Sequence, residues 1–424
     1  MCPDCRPHFV LLPSSGMGHL TPFLRLAASL AAHNVQVTLI TAHPTVSLAE
    51  SDTLKQFCFA FPQVAHRKMS IPPIGDAISF DDPFTLHYEA IRRSSHTLSP
   101  LLSSLSPPLS AVVTDMSLTS VVIPITKELN LSNYIFFTSS AKMLAIYAIY
   151  HKIAADIAGE GDVFLAPSLE SIPKSWLPPP LLSQGHNLLK THFIENGESF
   201  LQSNGILTNT FEDLEKDSLA ALNTGLVVNQ LPPVIAIGLL SPCAFEGGEV
   251  ATWLNDQSAR SVLYVSFGSR AAISRKQMRE LGNGLVSSGC KFLWVVKARN
   301  VDREDREELE EMVGKEILEK VNEKGLMLKT WMNQDQNADQ KINADLAERN
   351  AVAIWEKNWG WGGKESVGEE EIAPKIRELM ENEMLRNKAE EIRDKARTAL
   401  RHGGSSKNNL IGLIESLRQK HRFR

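Results

Sequence analysis

The stretch HFVLLPSSGMGHLTPFLRLAASL, from His8 to Leu30, contains the signals that decide the fold. It begins with a short apolar run that is typical of a buried strand, and this run ends in a glycine-rich turn. A helical pattern begins near Pro22, which suits a first helical position because its missing N–H needs no partner there. The stretch therefore predicts a strand, a tight turn and a helix, the repeating unit of a parallel α/β sheet.

The same unit recurs along the chain. Further buried strands are predicted at residues 35–41, 110–115, 133–139, 205–210, 261–267, 292–296, 326–329 and 351–355. Helical patterns cover residues 84–104, 118–129, 276–288 and 302–324, and a charged helical tail starts at Glu369. Continuous apolar strands that alternate with helices imply parallel sheets covered on both faces, so the predicted fold class is α/β.

A chain of 424 residues is long for a single core, so two domains are expected. Hydrophobic periodicity fails and Pro and Gly appear in residues 239–256, which we take as a linker. The predicted first domain is 1–238 and the second is 257–424. The second has about two strands fewer than a doubly wound domain needs, with the gap near residue 336. The C-terminal helix is predicted to pack back on the first domain.

Composition excludes several classes of function. The net charge of -5 and the absence of a strong basic cluster argue against nucleic acid or an anionic membrane as a partner. Five scattered cysteines do not make a disulfide framework, and the Cys2–Cys5 pair has no second pair with which to bind a metal. Without a signal-peptide pattern or a long apolar run, we expect a cytoplasmic protein with no membrane span.

The turn after the first strand carries the first chemical candidate. Gly16 and Gly18 suggest a dinucleotide loop, but Thr21 replaces the third glycine and no acid ends the second strand. A nicotinamide oxidoreductase is therefore disfavoured and remains an alternative. His19 lies where a parallel sheet collects its ligands, and an imidazole there can act as a general base near neutral pH. The competing interpretation is a histidine that only packs or caps.

Three aspartates could orient His19 and stabilise its charged form. Asp115 ends a predicted strand at the edge where catalytic groups gather, and Asp81 has little structural reason for its position. Asp82 precedes Pro83, so it could equally cap a helix.

The second half offers candidates for a nucleotide and a sugar. In SFGSR, Ser269 could offer its hydroxyl and N–H groups to a phosphate, and Arg270 could supply a positive charge. Trp331 could stack on a nucleobase, and the adjacent Asp339 and Gln340 could hydrogen-bond sugar hydroxyls. Each of these residues, taken alone, is more often a core or cap residue.

Taken together, four motifs resemble the plant family-1 UDP-sugar glycosyltransferases over essentially the whole chain: GMGHLTPFLRLA, GILTNTFEDLE, SVLYVSFGSR and GLMLKTWMNQ with DQKINADL. SFGSR, FDDPF and IWEKNWGWGG resemble the subgroup that attaches glucose to carbon on 2-hydroxyflavanones and dihydrochalcones. The resemblance implies a GT-B fold of two Rossmann-like domains facing a cleft, with the acceptor in the first and UDP-glucose in the second. It implies no metal and no organic cofactor, no nucleic-acid partner, and a monomer.

The resemblance also assigns roles to residues. His19 would deprotonate a phenol, Asp81 or Asp82 matches the partner in the C-glycosylating subgroup, and Asp115 matches the partner in the O-glycosylating pattern. Arg270 would lie near the diphosphate and the acceptor. Donor binding would fall to the following positions: Gly18, Ser269, Trp331, Asn333, Gln334, Asp339 and Gln340.

One departure from the family is large. Trp331 to Gln340 is only ten residues, whereas the family's signature box is several times longer between these positions. The absent part carries a His-Cys-Gly-Trp-Asn-Ser run and a Glu that bind the diphosphate and ribose, together with two strands and a helix. Each lost charge-assisted hydrogen bond is worth about 1.5–3 kcal/mol, so most donor affinity should be missing. The prediction is an inverting C-glucosyltransferase with impaired activity; an O-glucosyltransferase and a non-catalytic acceptor-binding protein remain alternatives.

Overall fold

The computed structural model describes residues 6–72, 82–159, 161–164, 171–246, 250–267, 273–297, 306–329, 339–359 and 366–422. Its strands are β1 His8–Leu12, β2 Gln36–His43, β3 Ala65–Ser70, β4 Ala111–Asp115, β5 Ser132–Phe137, β6 Val163–Phe164, β7 Ile172–Pro173, β8 Ile206–Thr208, β9 Val234–Ala236, β10 Val262–Val265, β11 Lys291–Val295 and β12 Gly325–Leu328.

The helices fall between and after these strands. They are α1 Met17–Ala31, α2 Leu48–Ala60, α3 Pro83–Arg93, α4 Leu98–Ser103, α5 Thr119–Glu128, α6 Ala141–Ala158, α7 Pro179–Leu182, α8 Leu188–Ser199, α9 Glu212–Asn223, α10 Val250–Asn255, α11 Arg275–Ser288, α12 Leu309–Val313, α13 Lys315–Lys324, α14 Gln340–Arg349, α15 Glu369–Glu381, α16 Glu383–Leu400 and α17 Ser405–Arg422.

The first half of the chain forms one seven-stranded parallel sheet in the order β3-β2-β1-β4-β5-β8-β9. The neighbouring strands β1 and β4 are in register, with Leu12 opposite Thr114. All carboxyl ends therefore lie along one edge, and the turn after β1 comes next to the residue that ends β4.

Helices cover both faces of this sheet, and the side chains of each strand point alternately to one face and the other. Phe9 and Leu11 of β1 are fully buried with residues of α1, α2 and α17, whereas Val10 and Leu12 pack with residues of α3, α4 and α5. The central strand is consequently apolar from Phe9 to Leu12, which explains the continuous hydrophobic run in its sequence.

The C-terminal helix α17 packs on the first sheet. Leu410, Leu413, Ile414 and Leu417 are spaced as one helical face, and all four are buried in the same cluster as Phe9. The Oγ of Ser406 also donates a hydrogen bond to the Gly238 carbonyl, 2.6 Å away. The end of the chain is thus part of the core that supports the first half.

The second sheet contains three parallel strands among the described residues, in the order β10-β11-β12. Its core includes the fully buried Trp294, packed with residues of α11, α13 and α15. Helix α14 is different, because its Ile342 is buried in a cluster of the first half, with residues of α6 and α8. An ion pair between Lys142 of α6 and Asp345 of α14 accompanies that contact.

Several predicted elements differ in the structure. Helix α1 begins at Met17 rather than at Pro22, because the glycine turn starts it earlier; Pro22 forgoes only one main-chain bond inside the helix. The predicted helices 84–104 and 302–324 are divided, into α3 and α4 and into α12 and α13. The range predicted to be a linker contains α10.

The strand predicted at 351–355 is wrong. These residues form a turn and an irregular segment, and Trp355 packs against Trp176 of the first half, with ring centroids 5.1 Å apart. A strand requires a neighbour that takes up its main-chain hydrogen bonds, and no strand in the described part of the chain pairs with this segment. Among the described residues, no helix combines the length and apolar character that a membrane span needs.

Candidate active site

His19 lies in the first turn of α1, immediately after the glycine turn that follows β1. Gly16 has a φ of 100°, a left-handed conformation that glycine adopts without strain, and its carbonyl accepts the His19 N–H at 3.0 Å. The Gly16 N–H donates to Oε1 of the buried Glu50 at 2.6 Å, which fixes the turn from α2. His19 is therefore held rigidly, and it is only 3% exposed.

Asp115, the last residue of β4, is the carboxylate that the structure places against His19. Its Oδ2 lies 2.9 Å from the imidazole Nδ1, and it is fully buried. Its Oδ1 accepts hydrogen bonds from the Ser14 hydroxyl at 2.9 Å and from the Ser117 N–H at 2.8 Å. Three hydrogen bonds, one to Oδ2 and two to Oδ1, therefore fix the orientation of this carboxylate.

The electrostatics of this pair favour an ionised carboxylate. Burial alone raises the pKa of Asp115, but the charge and hydrogen bond of His19, with the bonds from Ser117 and Ser14, hold the pKa below its ordinary value. The ionised Asp115 accepts a hydrogen bond from Nδ1–H of His19, so the neutral imidazole has its lone pair at Nε2. This is the tautomer that a general base requires.

Tyr88 of α3 lies on the Nε2 side of His19. Its hydroxyl is 3.5 Å from Nε2, and the two rings meet edge to face with centroids 6.4 Å apart. Tyr147 of α6 is buried behind Asp115, where burial and the Asp115 charge keep its pKa well above its ordinary value, so it remains protonated. Neither tyrosine was singled out from the sequence, because no motif marks them.

Asp82 has a different position. Its carboxylate accepts the N–H groups of Phe84 and Thr85, at 3.3 and 3.0 Å, and the hydroxyl of Thr85. It is the N-cap of α3, the alternative that the sequence left open, and no bond between it and His19 is seen. Asp81 lies outside the described residues.

Asp339 brings the second half of the chain to this site. It is 4% exposed, its Oδ2 accepts from the Asn343 amide at 2.8 Å, and its Oδ1 has no hydrogen-bond partner among the described residues. Burial raises the pKa of Asp339, and the bond from Asn343 and the charge of His19 offset part of that rise. The unpartnered oxygen is suited to a ligand hydroxyl, and it lies within electrostatic range of His19.

The remaining sequence candidates divide into two groups. Gly18 lies beside His19 in the buried first turn of α1, and Gln340 is the first residue of α14. The others lie outside the described residues: Ser269, Arg270, Trp331, Asn333 and Gln334. Within the described part of the chain, no group of three His, Cys, Asp or Glu side chains could hold a metal ion.

Relatives of this chain are known along its whole length, although no protein-family model matches it. It is 44% identical to UDP-glycosyltransferase 708G2 of Citrus unshiu over 460 aligned positions, which cover 97% of each chain. It is 41% identical to UDP-glycosyltransferase CGT of Oryza sativa subsp. japonica, covering 96% of this chain and 95% of the rice protein.

A solved structure is similar to this chain along nearly its whole length. The crystal structure of LpCGTa in complex with UDP is 38% identical, superposes with a TM-score of 0.83, and is matched over 97% of this chain and 99% of LpCGTa. The expected α/β fold, two Rossmann-like domains of the GT-B type, is confirmed by this neighbour. The chain belongs to the plant UDP-glycosyltransferase family.

Proposed function

We propose that this chain transfers glucose from UDP-glucose to an aromatic carbon of a flavonoid-type phenol, with His19 as the general base. The observation that carries the proposal is the 2.9 Å contact between His19 Nδ1 and Asp115 Oδ2. It fixes the imidazole tautomer that can accept a phenolic proton at Nε2.

The chemistry balances without any further reactant. His19 Nε2 takes the phenol proton, and the phenolate pushes an electron pair to its ortho carbon. That carbon forms a bond to the anomeric carbon of glucose while the bond to UDP breaks, and UDP leaves with the electron pair. The ring then passes its ortho proton to water and regains aromaticity, and the imidazolium of His19 returns its proton to the phenolate oxygen, so one proton is released to solvent along with UDP. The steps need neither a metal nor an organic cofactor, as the family resemblance also implies.

The donor site of this chain is proposed to be weakened. Leu328 ends β12 and Gln340 already begins α14, so few residues separate a sheet strand from the helix that carries Asp339. The alignment with the Citrus relative is also longer than the 424 residues present here, so that relative has positions without a counterpart in this chain. Both observations support the loss of diphosphate-binding residues from the signature box.

Two features support the acceptor class and the linkage. The FDDPF and SFGSR motifs resemble the C-glucosylating subgroup, and the names of the rice relative and of LpCGTa contain the letters CGT. Against this, Asp115 at His19 is the partner that matches the O-glycosylating pattern. O-glucosyl transfer is therefore the second candidate function, and a protein that only binds the acceptor is the third.

A comparison of two proteins tests the proposal: this chain, and a version with the missing segment restored from the Citrus relative. UDP is titrated into each by calorimetry, and each is assayed with UDP-glucose and a dihydrochalcone. We expect weak UDP binding and little turnover by this chain, and turnover by the restored version that is lost on His19→Gln. A product that survives acid hydrolysis supports a carbon linkage, whereas an acid-labile product supports the O-glucosyl alternative.

The same comparison can overturn the proposal. Tight UDP binding and fast turnover by this chain would contradict the weakened donor site. A restored version that binds the phenol but never transfers glucose would leave acceptor binding as the function. Unchanged turnover in the His19→Gln variant would remove His19 as the base.

A further inference from the structure

We infer that Asn196 of α8 is a positioning residue for the His19–Asp115 pair, acting through the turn that joins β4 to α5. This inference rests on the proposed role of His19 as the base, and it goes beyond that role by naming what holds the base in line.

The turn in question begins with Asp115 itself. The Ser117 N–H donates to Asp115 Oδ1 at 2.8 Å, so the conformation of the turn sets the position of the carboxylate. Helix α5 follows directly, and its N-cap residue, Leu118, has no side chain that can accept a hydrogen bond. The first N–H groups of a helix need acceptors, so α5 depends on another part of the chain for its cap.

Asn196 supplies that cap from α8. Its Oδ1 accepts from the Ser120 N–H at 2.9 Å, from the Ser120 hydroxyl at 3.0 Å and from the Thr119 hydroxyl at 3.0 Å. Its Nδ2 donates to the Ser117 carbonyl at 3.0 Å and to the His192 carbonyl at 2.7 Å. The side chain is 1% exposed, so no water can replace these bonds without opening the fold.

The amide therefore hydrogen-bonds the turn at two points. Its Oδ1 accepts from the start of α5, and its Nδ2 donates to the carbonyl of Ser117, the residue whose N–H donates to Asp115. An asparagine can do this because it carries a donor and an acceptor on one rigid plane. A serine or an alanine at this position would leave at least one of the buried main-chain groups unpaired.

The residue after Asn196 explains how α8 comes so close. A Cβ added to Gly197 would lie 2.7 Å from the Tyr147 carbonyl oxygen, so only glycine lets α8 approach α6 at this point. The side chain of Tyr147 lies close to both Asn196 and Asp115. The Asn–Gly pair thus brings α8 onto the turn and onto the residues behind the carboxylate.

The test measures the titration of the His19 ring directly, by NMR on the whole chain with labelled histidines, and His19→Gln identifies the signal. Among the described residues, Asp115, Tyr88 and Asp339 are titratable groups that interact with His19, and they are unchanged in the variants. We expect Asn196→Ala to lower the pH of half-protonation by about 0.5–1 unit, because a misaligned carboxylate stabilises the imidazolium less.

A milder variant and two controls make the result specific. Thr119→Val removes the hydroxyl that donates to both Oδ1 and the main-chain oxygen of Asn196, each at 3.0 Å, and should lower the midpoint by less. Asn223 is a second asparagine whose amide hydrogen-bonds main-chain groups of Leu219 and Val234, away from the site. Asn223→Ala is therefore the matched control for Asn196→Ala. Leu222→Ala removes a buried side chain of α9, so it shows what a loss of stability alone does to the titration.

Each outcome decides the inference. A lower midpoint in Asn196→Ala, with both controls unchanged, supports it, and a smaller shift in Thr119→Val adds to that support. A midpoint that is unchanged in Asn196→Ala, or that shifts equally in the controls, overturns it. Because the readout needs neither UDP nor turnover, failure of the proposed function would show separately, in the calorimetry and the assay.

Discussion

Lys142 of α6 and Asp345 of α14 form a buried ion pair between the two halves of the chain, with 2.5 Å between Nζ and Oδ2. Asp345 has a second partner, since Arg349 Nε donates to the same oxygen at 2.8 Å. The pair lies next to Trp176, whose ring is 5.7 Å from the Lys142 nitrogen. Helix α14, which follows the Asp339 of the site, is thus fixed to the first half by charge as well as by apolar contact.

This arrangement predicts an asymmetry between the two partners. Asp345→Ala leaves the Lys142 amine buried without its carboxylate and should destabilise the chain by about 3 kcal/mol. Lys142→Met should cost less, because Asp345 keeps Arg349. The free energies of unfolding in urea would measure both effects, and equal losses would contradict the assignment of Arg349 as the second partner.

Asp115 and Asp82, the two aspartate candidates that the structure describes, can be separated by kinetics in the version with the restored segment. Asp115→Asn should lower kcat by about 10²–10⁴, since the imidazole loses the partner that fixes its tautomer. Asp82→Asn should leave kcat nearly unchanged and cost at most about 1 kcal/mol of stability, because only a helix cap is altered. A large loss of kcat in Asp82→Asn would contradict this division.

Glu89 predicts a dependence of stability on pH in the acid range. It is a buried carboxylate to which Arg92 and Arg93 donate at 2.7 Å, and these bonds lower its pKa from 4.5 to about 2. A lowered pKa in the folded state stabilises the fold above the unfolded pKa, and this contribution is lost as the pH falls from about 4.5 to about 2. Unfolding free energies measured across this window should fall less steeply in Glu89→Gln.

The exposed Glu128 of α5 provides the matched control for that measurement. Glu128→Gln should reproduce the parent curve. If Glu89→Gln and the parent chain lose stability with the same slope, the ion pairs of Glu89 do not contribute as described.

The C-terminal helix predicts a large effect far from the site. Ile414 is 2% exposed and packs in the core behind β1, so Ile414→Ala should destabilise the chain by about 2–5 kcal/mol. The neighbouring Glu415 is exposed, and Glu415→Ala should change stability by no more than about 0.5 kcal/mol. Equal effects in chemical unfolding would mean that α17 is not part of the first core.

Local pattern was a good guide wherever an element could be built from its own residues. The strands near residues 8–12 and 111–115 could be predicted because both faces of the sheet are covered and their sequences are continuously apolar. Residues 351–355 have the same apolar character, yet they form no strand, because strand formation depends on a neighbour that the sequence does not specify. The start of α1 was predicted near Pro22 but lies at Met17, because the glycine turn, and not the proline, sets where the helix begins.

The sequence by itself determined the α/β class, the position of His19 beside a glycine turn, and three aspartates that could serve it. Only the tertiary structure selected Asp115, because β1 and β4 lie side by side in the sheet although about a hundred residues separate His19 from Asp115. The same is true of Asn196, which no motif marks and which acts on the turn after β4 from another helix. Hydrophobic patterning records which face of an element is buried, whereas hydrogen bonds between distant polar groups arise only once the packed elements have brought those groups together.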